Sequence, residues 1–555
     1  MRTRYFFAIC VLLAISLVGS PLLAQTDTTA AGSDYGFLSI LPPLVAIALA
    51  LLFRQVIIAL LAGIWLGATF IYFGNPALGL LRTLDTYLIQ ALTDSDHVAI
   101  VLFSLILGGM VGIVARSGGT RGLVANLGHR VKTARGAQIW TWLAGLVIFL
   151  DDYANALLVG HSMRPLCDRH RISREKLSYI VDSTSATDTS LAILSTWIGF
   201  EIGLISDAYH SVGIEANSYW IFIQSIPYRF YVVFALVLVF LVAWLARDVG
   251  AMWKAEVRAR TTGQLIRPGG VPLSGVDQLE TNNSHKIPGP AYFAWVPIAI
   301  IIVATLIGLY FDGRSKISAP APTLPQILSQ ADSFHVLMWA AFCGAVVAGA
   351  LPLLSKKMKL QAVLDAFIAG IQSMNIAIVI LILAWALGQI CKDMHTAQTV
   401  IDWARPILAP HLLPAVVFAL AALISFATGT SWGTMAILFP IAIPAAQTMA
   451  PSATYAGVFS PNTIHLGTVG AVLAGAVFGD HCSPISDTTI LSSMASGSDH
   501  IDHVKTQIPY AMAAALIALF VGYLPSGWGI SPWICLGAGV FFLILWLLIF
   551  GKKVP

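Results

Sequence analysis

Apolar stretches of about 18 or more residues, the length needed to cross a bilayer, recur along nearly the whole chain. Reading them as helices gives eleven crossings, near residues 36–53, 56–73, 97–115, 177–205, 226–247, 291–311, 334–354, 374–391, 464–497, 505–525 and 532–551. Only 10% of the 555 residues are charged, against roughly 25% in a typical soluble protein, so a water-soluble globule of this composition could not cover its surface. The expected fold class is an all-α polytopic membrane protein. This excludes a soluble enzyme and a nucleic-acid binder. The six cysteines are scattered without a Cys-x-x-Cys pair, which also excludes a disulfide-stapled secreted domain.

Two further apolar segments, 139–163 and 412–447, carry polar residues at their middles and read as re-entrant hairpins. Asp151 and Asp152 mark the first; Thr428, Thr430 and Ser431 mark the second. With the mature N-terminus outside and the C-terminus cytoplasmic, these assignments put 23 of the 31 lysines and arginines on the cytoplasmic side and five outside. The positive-inside rule supports that orientation, and it requires the two hairpins to enter from opposite sides. Residues 1–24 have the layout of a secretory signal, with an uncleaved first helix as the rival reading. Residues 248–290, rich in Gly, Pro, Ser and Asn, read as a cytoplasmic linker between two repeats, 36–247 and 291–525, followed by a terminal transmembrane helix at 532–551.

Each half is expected to contain three helices, a hairpin, a long interrupted helix (177–205 or 464–497) and one more helix. An odd number of crossings per half turns the second copy upside down, which is an inverted-topology repeat. FLDDYANALLVGHSMRPL from Phe149 corresponds to FATGTSWGTMAILFPIAI from Phe426, and VDSTSATDTSLAILS from Val181 to GDHCSPISDTTILSS from Gly479.

The chemistry follows from acids in apolar surroundings. Even the lenient insertion scale assigns aspartate about +2.5 to +3.5 kcal/mol at a membrane-helix centre. Asp151, Asp152, Asp182, Asp188, Asp480 and Asp487 all fall within apolar segments, where lysine and arginine are nearly absent. Mobile cations or protons must then neutralise them. In Gly479–Thr489, Pro484 interrupts the helix and frees the Asp480 carbonyl. Asp480, Ser483, Ser486, Asp487 and Thr488 offer an all-oxygen set suited to a small hard cation, with sodium at Asp480 and Asp487. Asp182, Ser185 and Asp188 in the symmetric segment, and Asp151, Asp152, Asn155, Thr428 and Thr430 at the hairpin tips, are candidates for the same site. One of the adjacent Asp151 and Asp152 is expected to cap a helix instead, and Asp182 and Asp480 have the alternative of capping the breaks. His481 is either a tuner of the pH response or a hydrogen-bonded core histidine. Glu201 and Asp207 are expected to be solvated near the outer interface. A carboxylate that trades a proton for a cation near neutral pH must hold that proton about 4 to 5 kcal/mol more tightly than in water; desolvation and a neighbouring carboxylate can supply this. Proton and cation then compete for the same oxygens, and no cofactor is needed.

The stretch GDHCSPISDTTILSSMASG from Gly479, with DDYANALLVG from Asp151 and the order of helix, hairpin and broken helix, resembles the NhaC family of sodium/proton antiporters over roughly residues 36–550. The resemblance implies a bacterial inner-membrane secondary transporter of the ion-transporter superfamily type. It also implies a scaffold part, a moving part and a homodimer. Members that look like sodium-coupled carboxylate or amino-acid exchangers keep that alternative open. An intramembrane aspartyl protease would show a GxGD element where Gly475–Asp480 reads GAVFGD, so no enzymatic activity is expected.

Overall fold

In a computed structural model, the structure describes residues 35–53, 55–120, 122, 131–272, 289–317, 323–396, 399, 408–455 and 458–554; the signal reading of 1–24 lies outside them. The apolar runs form helices because, at about 1.5 Å rise per residue, 19 or 20 residues bury every backbone polar group across the hydrocarbon layer. Nine helices among the described residues are long and apolar enough to cross, or up to eleven where each of two bent pairs counts as one span. The chain is a multi-pass membrane protein.

The details depart from the sequence reading in several places. The first span is a short helix, Leu41–Phe53, after a 3-10 turn. The second turns by 117° at Phe73 to Asn75 into an unexpected helical segment, Pro76–Thr93. The span at 374–391 belongs to a 34-residue run, Leu360–Asp393. The arms of the second hairpin, Pro410–Thr428 and Ser431–Met449, are each 19 residues and long enough to cross on their own. The linker is a larger correction: Gly250–Thr262 is a helix burying Met252, Ala255, Glu256 and Ala259. Its Ala, Met, Lys, Glu and Arg residues favour helix, and buried polar contacts anchor it. Glu256 accepts from the Ser173 backbone N–H at 2.7 Å, and Asp248 pairs with buried Lys176 while accepting from Tyr510 at 2.8 Å. The short strands Arg247–Asp248 and Lys552–Lys553 pair antiparallel, fastening the C-terminal tail beside it.

Four interruptions organise the interior. They lie between Ala134–Val147 and Asp152–Arg169, between Arg174–Leu191 and Ile198–His210, between Leu413–Thr428 and Ser431–Met449, and between Thr463–Cys482 and Asp487–Ser496. The same order, hairpin break then helix break, recurs in both halves. The breaks do not follow the sequence match, however. Asp182 to Thr189 lies within a continuous helix that breaks only at 192–197, whereas the matched segment from Asp480 straddles its break. Close backbone contact seats the last of these helices. A Cβ on Gly479 would lie 2.5 Å from the Ala422 carbonyl oxygen, and one on Gly475 2.6 Å from the Ala421 Cβ, so only glycine lets Thr463–Cys482 meet Leu413–Thr428 this closely.

Candidate functional site

Within each half the two breaks dock on each other. In the first, Thr196 donates its N–H to the Leu150 carbonyl at 2.9 Å and its hydroxyl to Asp151 at 3.2 Å. Trp197 donates its indole N–H to Asp152 at 3.2 Å. In the second, Ser483 donates to the Phe426 carbonyl at 2.8 Å, and Gly429 sits against Ile485 in the left-handed region at φ +70. The halves then meet. Trp432 of the second hairpin packs edge-on against Trp197 and Phe200 of the first broken helix, at 5.4 and 4.4 Å between ring centroids. Tyr153 of the first hairpin donates its hydroxyl to Asp487 of the second broken helix.

This junction gathers carboxylates. Asp480 is buried in the last turn of its half-helix; Thr488 donates to its Oδ2 at 3.2 Å, and its Oδ1 has no partner. It lies close enough to Asp487, Asp182 and Asp152 to interact with their charges, and Asp152 interacts likewise with Asp151 and Asp487. Asp487 opens its half-helix, accepts from its neighbour Thr488 N–H at 2.9 Å and is exposed. Ser486 and Thr488 share a hydroxyl hydrogen bond of 2.9 Å beside them. Among the described residues, no Lys, Arg or His forms an ion pair with Asp151, Asp152, Asp188, Asp480 or Asp487. Orphan oxygens, hydroxyls and an exposed carboxylate together can take a small cation or a proton.

Several expected members are committed elsewhere. Asp151 caps its half-helix, accepting from Ala154 N–H at 2.8 Å. Asp182 is buried mid-helix and accepts from Gln507 at 2.6 Å, His503 at 3.2 Å and Ser492 at 3.2 Å. Neither Asp182 nor Asp480 caps a break. Asn155 donates to the carbonyls of Gly145, Ile148 and Thr184, tying hairpin to helix. Ser185 and Thr428 bond back to their own helices, and Thr430 caps Ser431–Met449 through Gly433 N–H at 3.4 Å. Asp188 is half-buried, with one carboxylate oxygen lacking a partner. His481 is clamped at both ring nitrogens, by Ser183 at 3.0 Å and Tyr231 at 2.6 Å. The Asp480 carbonyl accepts from Ser483 N–H at 3.0 Å, so the proline does not leave it free.

Sequence reasoning missed Tyr153, and it missed Glu201 with Arg229. Glu201 is fully buried, not solvated, and pairs at 3.3 Å with Arg229, which is equally buried. With Arg174 and Lys176, that makes three buried cations among the described residues where the sequence suggested almost none. They stand at the edges of apolar runs, where sequence alone does not separate interface from interior.

Interrupted helices whose breaks gather acids without basic partners, inside a multi-pass α-helical bundle, are the architecture of a class, the secondary transporters. The model of the Na+/H+ antiporter family matches residues 192–528, more than half of the chain, and the protein belongs to that family. It is a secondary antiporter. A Haemophilus influenzae protein of uncharacterised function is 33% identical over 500 residues, 89% of this chain and 91% of its own. The Bacillus subtilis malate-2H(+)/Na(+)-lactate antiporter is 29% identical over 167 residues, 33% of its length. The Halobacterium salinarum arginine/ornithine antiporter ArcD is 33% identical over 147 residues, 27% of its length. The Alcanivorax borkumensis YdaH transporter shares the fold, with a TM-score of 0.52, 15% identity and 98% of each chain covered.

Proposed function

We propose that the protein exchanges cytoplasmic sodium, or lithium, for external protons by alternating access, as a homodimer in a bacterial inner membrane with its C-terminus cytoplasmic. The observation that carries this reading is the set of acids around Asp480 and Asp487, which no lysine or arginine neutralises among the described residues. Asp480, Asp487, Ser486 and Thr488 hold the ion, with Asp152 and Tyr153 facing it from the first hairpin. A proton and a sodium ion occupy these oxygens in turn, so loading one releases the other. The test is sodium-driven proton movement in everted membrane vesicles. It should be present in the native protein and lost in Asp480→Asn and Asp487→Asn at equal insertion.

A second reading, a sodium- or proton-coupled exchanger of a small carboxylate or amino acid, draws support from two cavities. One of 510 Å³ has Arg116 and Ser373 on its wall; the other, of 300 Å³, has Lys392, His395 and Gln447. Both exceed what a bare ion needs. Two partial relatives are named for organic solutes. If vesicles give proton flux only when a carboxylate or amino acid accompanies sodium, this reading replaces the first.

A further inference from the structure

We propose that Arg229 is a resident counter-ion plugging the first repeat's helix break, so that the second break is the one place per chain where a mobile cation binds. This rests on the cation-exchange reading above and adds the number of sites.

Arg229 lies between the 3-10 turn Ile226–Tyr228 and the helix Phe230–Leu245. Its Nη1 donates to the carbonyl of Ser190, just before the break at 192–197, and reaches Glu201, just after it, at 3.3 Å. Ser190 donates its hydroxyl to the same Glu201 carboxylate at 3.1 Å. Ser225 accepts from Nη2 at 3.3 Å, and the guanidinium lies 4.2 Å from the centre of the Phe222 ring. The cation therefore bridges the two half-helices, at a C-terminus whose partial negative charge favours it.

Ser190 is the penultimate residue of its half-helix; the corresponding residue before the second break is His481. There the carbonyl accepts from Gln507, a neutral amide from the next helix. Among the described residues no lysine or arginine bonds to residues 480–489; the basic side chain that reaches them is His500, which contacts the Pro484 carbonyl at 2.8 Å. At the first break the fixed cation matches Glu201, while Thr196 and Trp197 hold Asp151 and Asp152 of the docked hairpin and Asp188 stands in the last turn before it. The second holds Asp480 and Asp487 with neither matched by a fixed cation. An inverted repeat offers two related places for an ion, and Arg229 fills one of them. If Arg229 is removed, Glu201, the Ser190 hydroxyl and the Ser190 carbonyl form an all-oxygen set like the one at the second break.

The experiment is equilibrium binding of radioactive sodium to the purified full chain in lipid nanodiscs, counted per chain at saturation. The native protein should bind one ion, Asp480→Asn none and Arg229→Lys one. Arg229→Gln should bind two, returning to one in Arg229→Gln/Glu201→Gln. A merely structural ion pair would alter folding without changing the count from one to two. Two ions in the native protein, one in Arg229→Gln, or a second ion that persists without Glu201 would each overturn the proposal. Should Arg229→Gln fail to fold, the native count still decides. No sodium bound by the folded native protein would defeat the exchange reading itself, and this one with it.

Discussion

Replacing Asp480 by Asn separates an ion ligand from a structural group. The amide keeps the volume and, through its oxygen, the 3.2 Å contact from Thr488, but it removes the charge. The orphan Oδ1 becomes an N–H₂. Without sodium a proton occupies the native carboxyl, so a neutral amide of the same shape replaces a neutral acid and the variant should melt no lower than the native protein. Truncating one partner of a buried charge pair costs about 2–5 kcal/mol, so sodium affinity should fall by about 30-fold to several thousandfold. The assay is thermal unfolding of purified protein in sodium chloride against choline chloride at equal ionic strength. The native protein should gain about 2.7 kcal/mol when sodium is a hundred times its dissociation constant, and the variant less than about 1 kcal/mol at the same sodium concentration. A variant that melts lower without sodium yet keeps the full sodium-dependent shift would make Asp480 a structural group and refute the reasoning.

Gln507→Leu strands the buried His481 carbonyl and leaves Asp182 Oδ2 with His503 alone; it should lose about 1–3 kcal/mol of stability, read as a lower unfolding midpoint with or without sodium. Tyr153→Phe removes the hydroxyl that ties the first hairpin to Asp487. It should leave the fold intact and change sodium affinity by up to about tenfold, seen in a sodium titration of proton flux. At Gly429, with φ +70 and a Cβ position 2.8 Å from Ile485, alanine should cost at least about 1 kcal/mol and slow exchange by loosening the contact between the two second-half breaks. Wild-type turnover in Gly429→Ala vesicles would show that this contact does not position the site.

The apolar runs, the helix interruption at Ser483 to Ser486 and the placing of Asp480 and Asp487 on either side of it were readable because each is a local property. Lipid-length helices need long apolar runs, and Pro484 cannot continue a helix. Partners distant in sequence were not readable. Asp182 shares its residue type and apolar flanks with Asp480, and only the fold shows that Gln507 and His503, more than 300 positions along the chain, occupy its oxygens. His481 likewise looks free to face an ion until Ser183 and Tyr231 are found on its ring nitrogens. The matched segments from Val181 and Gly479 suggested equivalent breaks. A continuous helix through Asp188 places the first break several residues later, because no proline stops it there. Residues 250–262 read as linker because the window's Gly, Pro and Ser content lies beyond them, while their own composition favours a helix.

The central claim is that sodium and protons compete for the oxygens of Asp480 and Asp487. Proteoliposomes holding only the purified protein and a pH-sensitive dye, challenged with an outward sodium gradient and no organic solute, test it most directly. The account predicts prompt acidification of the lumen that Asp480→Asn and Asp487→Asn abolish. Flux that is absent until an organic solute is added, or that persists undiminished in both variants, would contradict it.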